Sequence, residues 1–176
     1  KTVGILGFGK IGRKVAHLCG NGFGMRVLVY DPFVTVADFP KGIRPTETLN
    51  DLLGQADYVT LHTPLSPETH HMINDERLAK MRPGSILVNT ARGGLVDHKA
   101  LAEVLHSGHL AGAGLDVYED EPLSAGSILL SLDRRKVTFT PHSAALTDRS
   151  MKRMAEMVCN GIFSVLNGGQ PANVAN

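Results

Sequence analysis

The chain has 176 residues, of which 43% are hydrophobic, so it is long enough to bury one domain core. Lys and Arg number 18 against 17 for Asp and Glu, and the net charge of +1 gives no field that favours nucleic acid or an acidic membrane as a partner. No apolar run approaches a membrane span, and Cys19 and Cys159 are too far apart to indicate a disulfide or a metal pair. We therefore expect a cytoplasmic protein.

The first residues predict a strand that runs directly into a glycine-rich turn. Residues 2–6 are mostly apolar, and G-F-G-K-I-G follows at residues 7–12. In this fingerprint Gly7 permits a tight turn, Gly9 lets the backbone approach a pyrophosphate, and Gly12 lets the next helix pack closely on the sheet. The N-terminus of that helix presents free N–H groups and a positive dipole end to phosphates.

A second apolar run, residues 25–30, ends at Asp31. This is about the offset at which a dinucleotide-binding fold places the carboxylate that binds the adenosine ribose 2′-hydroxyl. A 2′-phosphate would meet a like charge at Asp31, and no Arg follows at Pro32 or Phe33 to receive it. The sequence therefore predicts a dinucleotide site that prefers NAD.

Helix and strand signals alternate along the rest of the chain, and the Pro-, Gly- and Asp-containing segment 32–45 between them is expected to be a loop. Further strands are predicted at residues 58–61, 85–89, 110–115 and 137–139. Helices are predicted at residues 10–21, 48–53, 74–81, 97–107 and 147–166, with Thr48, Asn74 and Asp97 as the N-caps of the second, third and fourth. Six short apolar strands separated by helices indicate an α/β fold with a doubly wound parallel sheet, the Rossmann fold.

In a doubly wound fold, ligands bind beyond the carboxyl ends of the strands, so the loops that follow those ends carry the information about function. Arg92 follows the fourth strand, an acidic run at residues 116–121 follows the fifth, and His142 follows the sixth. An Arg can form a bidentate pair with a carboxylate, and an imidazole titrates in the range needed for proton transfer. The sequence thus places an Arg, a Glu and a His on one rim.

Essentially the whole chain resembles the nucleotide-binding domain of the D-isomer-specific 2-hydroxyacid dehydrogenases, a family that includes phosphoglycerate and glycerate dehydrogenases. The resemblance rests on six segments in this order: G-F-G-K-I-G, V-Y-D-P, H-T-P-L-S-P-E-T, N-T-A-R-G-G-L-V-D, G-L-D-V-Y-E-D-E-P and T-P-H-S-A-A. It implies an oxidoreductase that transfers a hydride between NAD(H) and a small D-2-hydroxy acid or 2-keto acid.

The resemblance also implies three catalytic residues. His142 would be the base that takes the hydroxyl proton, and the acid in the reverse direction. Glu121 would hold the far ring nitrogen and so fix the tautomer, while Arg92 would hold the substrate carboxylate. The neighbouring carboxylates Glu119 and Asp120 stay open as alternatives to Glu121.

For the cofactor, the resemblance adds residues of the other loops at the same edge. The predicted cofactor-binding residues are Gly7, Gly9, Lys10, Ile11, Gly12, Asp31, Thr63, Pro64, Thr90, Ala91, Arg92, Asp116 and His142. No metal site is predicted, because His70 and His71 are adjacent and are expected to face apart. In the last helix, Met151, Met154 and Met157 predict a packing stripe.

The family has two domains, with the nucleotide domain inserted between the two parts of a substrate domain. We expect residues 1–166 to form a single NAD-binding domain, and residues 167–176 to form a tail leading toward the substrate domain, which this chain lacks. Such a domain fragment is expected to bind NAD with little turnover, because the facing wall that excludes water is missing. The resemblance implies a homodimer for the full-length protein.

An alternative is an NAD-responsive interaction protein of the corepressor class called C-terminal-binding proteins. These share the fold and the same Arg, Glu and His, and H-H-M-I-N-D at residues 70–75 resembles them. They carry a Trp three residues beyond the His, whereas this chain has Ala145 there and no Trp. That difference favours a dehydrogenase, and turnover of 2-keto acids by the full-length protein would discriminate between the two.

Overall fold

The computed structural model describes residues 1–172 of the chain, and within them seven strands form one sheet. The strands are β1 (Thr2–Leu6), β2 (Arg26–Tyr30), β3 (Ile43–Pro45), β4 (Tyr58–Leu61), β5 (Ile86–Asn89), β6 (Gly112–Leu115) and β7 (Val137–Phe139). They are all parallel, in the order β3-β2-β1-β4-β5-β6-β7. The direction of winding reverses between β1 and β4, where such a sheet opens a crevice for a ligand. The predicted doubly wound α/β fold is confirmed.

The α-helices lie where the sequence predicts them, and side chains cap most of their N-termini. They are α1 (Lys10–His17), α2 (Leu49–Gln55), α3 (Asp75–Lys80), α4 (His98–His106) and α5 (Asp148–Leu166). Thr48, Asn74, Asp97 and Thr147 each accept a hydrogen bond from a backbone N–H of the first turn, which satisfies a donor that the helix itself leaves unpaired. After α1, the chain continues through one π-helical turn at Leu18–Gly22.

The prediction of a continuous loop over residues 32–45 is wrong at its C-terminal end, where β3 adds a seventh strand. Ile43 lies opposite Val27, and β3 pairs with β2 alone at the edge of the sheet. Pro45 is tolerated there because no further strand needs the N–H that proline lacks. A strand of three residues that ends on a proline is too short to show a periodic signal in the sequence.

Two hydrophobic clusters accompany the sheet. The larger one joins β-strand residues to α2, α3 and α4 through side chains such as Leu52, Leu78 and Leu101, which are fully buried. The smaller one includes Phe8, Val29 and the α1 residue Ala16. Burial at about 25 cal/mol per Å² makes these clusters the main source of stability, and they hold the strands in a rigid frame for the loops.

The carboxyl ends of six strands lie side by side. Their laterally paired last residues are, in order across the sheet, Tyr30, Leu6, Leu61, Asn89, Leu115 and Phe139. The six loops that follow therefore leave from one edge, and all the predicted site residues lie on these loops or on the first turn of α1.

Residues Lys1–His142 form one compact unit, and the segment from Ser143 onward forms a second, whose described part contains α5. On α5, the predicted Met stripe is 43–50% exposed, and two of its members, Met154 and Met157, line an apolar groove of about 620 Å³ within this unit. No helix within residues 1–172 has the length and apolar character needed to cross a membrane. The domain boundary at residue 166 and the tail of residues 167–176 stay predictions, and residues 173–176 lie outside the described part.

Candidate active site and cofactor cleft

The turn after β1 is closed on one side and open on the other. Gly7 has a φ of 89°, and a Cβ there would lie 2.6 Å from the carbonyl oxygen of His62. A Cβ at Gly12 would lie 2.1 Å from the carbonyl oxygen of Gly7, so α1 approaches the turn as closely as only a glycine allows. At Gly9 a Cβ would meet nothing within 4 Å. The backbone at Gly9 therefore faces open space, as the predicted approach of a pyrophosphate requires.

The N-terminus of α1 lies at this open side. Gly9 is its N-cap residue, no side chain caps it, and no acidic residue lies in its first turn. Lys10 and Ile11 are exposed, and the helix dipole places a partial positive charge there. These features fit the phosphates of a dinucleotide.

Asp31 holds its carboxylate beside the same turn. Its Oδ2 accepts a hydrogen bond of 2.7 Å from the Phe8 N–H, and its Oδ1 accepts one of 2.9 Å from the Phe33 N–H. Each carboxylate oxygen keeps a further lone pair that can accept from a ribose hydroxyl. The residues after β1 and β2 thus fit the diphosphate and one ribose of NAD.

The loops after β4 and β5 leave from the same edge of the sheet as those after β1 and β2. Thr63 is partly buried and Pro64 is exposed, and a Cβ at Gly7 would come within 3.1 Å of the Thr63 nitrogen. Thr90 and Ala91 follow the fully buried Asn89, whose side chain accepts from the Ala91 N–H at 3.0 Å and donates to the Arg92 carbonyl at 2.8 Å.

Asn89 is a residue that the sequence analysis missed. The signal that could have found it is a polar residue at the end of an apolar strand. A polar side chain that is buried there needs hydrogen-bond partners, so it is expected to bind the backbone of the loop that follows.

Arg92, Glu121 and His142 line one cavity of about 590 Å³. The other lining residues are Leu65, His70, Gly93, Gly94, Tyr118 and Glu119. The Arg92 side chain is exposed, and its Nη1 donates to the Ala91 carbonyl at 2.6 Å. The structure therefore brings the three predicted catalytic residues together, although they come from three different loops.

His142 pairs with Glu121, and the structure decides between the acidic candidates. The Nδ1 of His142 lies 2.7 Å from Oε2 of Glu121, whereas Glu119 pairs with His71. His142 has a φ of 53°, an uncommon value for a residue other than glycine, and its N–H donates to the Asp116 carbonyl at 2.8 Å. Because Glu121 occupies Nδ1, Nε2 is the ring nitrogen that remains for a substrate.

The environment of Glu121 favours its charged form. Its hydrogen bond with His142 is the largest cause that lowers its pKa, and the hydrogen bond from the Tyr118 N–H is the next. Partial burial opposes this, while the charges of His142 and Arg92 add to it. The result is a pKa below the ordinary value of 4.5, so the carboxylate is ionised at neutral pH.

Asp116 is buried at the base of the rim, which is formed by the loops after β5, β6 and β7. Its Oδ1 accepts from the Thr140 hydroxyl at 2.5 Å, and its N–H donates to the Asn89 carbonyl at 3.0 Å. It therefore links the starts of the loops after β6 and β7 to the end of β5. This position is adjacent to His142, and the cofactor-binding role of Asp116 stays a prediction.

A second group of polar side chains borders the cavity. The expectation that His70 and His71 face apart is wrong, because their rings stack with centroids 4.0 Å apart and planes inclined by 22°. His71 has a φ of 49°, an uncommon value for a residue other than glycine. His98 is buried nearby, with Nδ1 3.8 Å from Glu119 Oε2, and burial lowers its pKa while the Glu119 charge opposes the shift.

The side chains of His70, His71 and Glu119 are close enough to be tested as a metal site, since one ligand atom of each lies within 4.8 Å of the others. Imidazole lone pairs lie in the ring plane. In two stacked rings they run side by side and do not converge on an ion at the usual metal–nitrogen distance of about 2.1 Å. Glu119 is also already paired with His71. The expectation of no metal site therefore stays a prediction.

Comparisons with known proteins show the family to which the chain belongs. Residues 1–144 match the family model described as D-isomer specific 2-hydroxyacid dehydrogenase, NAD binding domain. A glyoxylate reductase of Korarchaeum cryptofilum is 44% identical over 177 residues, covering 100% of this chain and 52% of the relative. A D-3-phosphoglycerate dehydrogenase of Methanocaldococcus jannaschii is 42% identical, covering 100% of this chain and 33% of the relative.

The fold is shared with solved structures of the same group. A crystal structure of D-lactate dehydrogenase with NAD⁺ from Lactobacillus jensenii matches with a TM-score of 0.88 and 32% identity, covering 100% of this chain and 56% of that chain. The chain thus spans about half the length of the glyoxylate reductase and the lactate dehydrogenase. These relatives give no support to the corepressor alternative. Since the family model covers most of its length, the chain belongs to the D-isomer-specific 2-hydroxyacid dehydrogenases, in which it forms the NAD-binding domain.

Proposed function

We propose that the full-length protein transfers a hydride between NAD(H) and a small D-2-hydroxy acid or 2-keto acid, with His142 as the acid and base. The observation that carries this proposal is the 2.7 Å pairing of His142 Nδ1 with Glu121 Oε2 beside Arg92 in one cavity. The relatives named glyoxylate reductase and D-3-phosphoglycerate dehydrogenase support the substrate class.

The path of the transferred proton follows from this geometry. NAD(H), when bound, accepts or supplies the hydride at C2 of the substrate. In the oxidation, Nε2 of His142 takes the proton of the substrate hydroxyl, and in the reduction it returns that proton to the carbonyl oxygen. Glu121 keeps the ring in the tautomer that leaves Nε2 free to accept, and its negative charge stabilises the imidazolium that forms.

Arg92 binds the substrate carboxylate. Its guanidinium can form two parallel hydrogen bonds to a carboxylate, and its exposure in the cavity leaves room for them. This contact fixes C2 relative to His142, and such positioning lowers the barrier because the reacting groups are held in the reactive geometry.

The residues that would hold the cofactor lie on the other loops of the edge. Gly9, Lys10 and Ile11 would hold the pyrophosphate, and Asp31 would bind the adenosine ribose and select NAD over NADP by repelling a 2′-phosphate. The remaining contacts toward the nicotinamide come from Thr63, Pro64, Thr90, Ala91 and Asp116. Titration of the protein with NADH and NADPH tests the preference, and equal affinities would contradict the role of Asp31.

The catalytic assignment is tested with NADH and a panel of 2-keto acids. We expect the full-length wild-type protein to reduce at least one of them. The full-length His142→Gln variant should lose about 100-fold or more in kcat, with little change in NADH affinity. Unchanged turnover in His142→Gln would refute the assignment of the base.

The resemblance further supports a homodimer, and the two cysteines Cys19 and Cys159, which form no disulfide with each other, support a cytoplasmic location. We also propose that residues 1–166 constitute the NAD-binding domain, and that the isolated chain binds NADH with little turnover. Light scattering of the full-length protein tests the dimer. Rapid 2-keto acid reduction by the isolated 176 residues would contradict the last proposal.

A further inference from the structure

Tyr118 touches every loop that carries a proposed catalytic residue. Its side chain is 8% exposed. The single proton of its hydroxyl is shared between the Thr140 carbonyl, at 2.8 Å, and the Leu115 carbonyl, at 3.1 Å. Leu115 is the last residue of β6, and Thr140 is the first residue after β7 and lies two positions before His142. The hydroxyl therefore ties the loop that carries His142 to the strand that precedes the loop of Glu121.

The backbone N–H of Tyr118 acts on the other member of the pair. It donates to Oε1 of Glu121 at 3.0 Å, while Oε2 of the same carboxylate lies 2.7 Å from Nδ1 of His142. The two oxygens of Glu121 are thus directed to two different groups. The carboxylate cannot rotate without losing one of these hydrogen bonds.

The carbonyl of Tyr118 packs against the loop of Arg92. A Cβ at Gly93 would lie 1.9 Å from the Tyr118 carbonyl carbon, so these two backbones are in direct contact. The N–H, the hydroxyl and the carbonyl of one residue therefore each fix a different loop of the rim.

We propose that Tyr118 is the positioning residue of the acid–base pair, and that its hydroxyl sets the place of His142 against Glu121. This inference rests on the proposed function. The hydroxyl is already committed to two carbonyl oxygens, so it acts through the backbone and not as a proton donor to the substrate. Burial raises the pKa of Tyr118, which keeps this donor protonated at neutral pH.

The test compares Tyr118→Phe with Tyr58→Phe in the full-length protein. Tyr118→Phe keeps the ring and the N–H and removes only the hydroxyl, whereas Tyr58→Phe makes the same change at a residue on β4 outside the cavity. We expect Tyr118→Phe to lower kcat about tenfold, the effect of losing one well-placed hydrogen bond, while the KM for the 2-keto acid and the Kd for NADH stay within about twofold. Tyr58→Phe should match the wild type.

A second readout does not need turnover. The ¹⁵N shifts of the His142 ring, read through its carbon-bound protons, report which nitrogen carries the proton in the neutral form. Pairing with Glu121 holds the proton on Nδ1, whereas free imidazole prefers Nε2. We expect the wild type and Tyr58→Phe to show the Nδ1–H tautomer, and Tyr118→Phe to shift toward Nε2–H.

The two readouts separate this inference from the proposed function. If no 2-keto acid is reduced by the wild type, the proposed function fails, and the ring shifts still decide the role of Tyr118. If Tyr118→Phe keeps both the wild-type kcat and the Nδ1–H tautomer, or if only its NADH affinity falls, the positioning role is overturned.

Discussion

The turn after β1 and the rim after β5, β6 and β7 lie at the same sheet edge, but different groups hold them in shape. In the turn, the backbone itself approaches so closely that Gly7 and Gly12 cannot carry a Cβ. In the rim, one such backbone approach, Gly93 against Tyr118, is joined by side-chain contacts through Asn89, Tyr118 and the Glu121 and His142 pair. The glycines of the turn lie within six residues of one another, whereas the rim residues come from three separate loops.

Breaking the turn should have the largest effect on stability. Gly12→Ala forces a Cβ to within 2.1 Å of the Gly7 carbonyl oxygen, so we expect the free energy of unfolding to fall by about 3 kcal/mol in urea denaturation. Gly54→Ala in α2 is the matched control, since its Cβ would meet only the Lys80 carbonyl oxygen at 3.8 Å. That change should stabilise the helix by about 1 kcal/mol. Equal stability of the two variants would contradict the packing argument.

Disrupting the rim should lower the free energy of unfolding somewhat less. Asn89→Ala leaves the Ala91 N–H and the Arg92 carbonyl without their partner, and we expect a loss of about 2 kcal/mol together with a lower kcat/KM. Asn50→Ala, at an exposed position of α2, is the control and should change neither quantity. The idea fails if the Asn89 variant keeps the wild-type kcat/KM.

A third change separates binding from folding within the turn. Gly9→Ala places a Cβ in open space, so thermal unfolding of the protein without cofactor should be unchanged. The same Cβ occupies the side proposed for the pyrophosphate, and we expect NADH to bind about tenfold more weakly, equivalent to about 1.4 kcal/mol. Fluorescence titration measures this. A Gly9→Ala variant with wild-type affinity would place the pyrophosphate elsewhere.

The smallest effect concerns the charge of Glu121. Because its folded pKa is lowered, the carboxylate contributes stability that is present above 4.5 and is lost as the pH falls through the lowered value. A ¹³C titration of its carboxyl group should therefore have its midpoint below 4.5. In His142→Ala the largest cause of the shift is gone, and the midpoint should move back toward 4.5. If the midpoint is the same in both proteins, His142 does not lower the pKa of Glu121.

The sequence predicted the parts of the molecule that depend on neighbouring residues. The helix caps at Thr48, Asn74 and Asp97 were correct because a cap needs only a short side chain within three positions of its N–H. The strand β3 was missed because three residues carry no period. The stacking of His70 on His71 was missed because it depends on the local backbone conformation, including the positive φ of His71, which the residue types do not determine.

The sequence by itself determined the fold class, the glycine-rich turn with Asp31, and the three loops on which Arg92, a Glu and His142 lie, because periodicity and motif spacing are properties of a continuous chain. Only the tertiary structure decided that Glu121 rather than Glu119 contacts His142, and that Tyr118 connects their loops. The physical reason is that these contacts join residues on separate loops, and the partners depend on the pairing of β5, β6 and β7 and on the backbone path of each loop, which residue types alone do not determine.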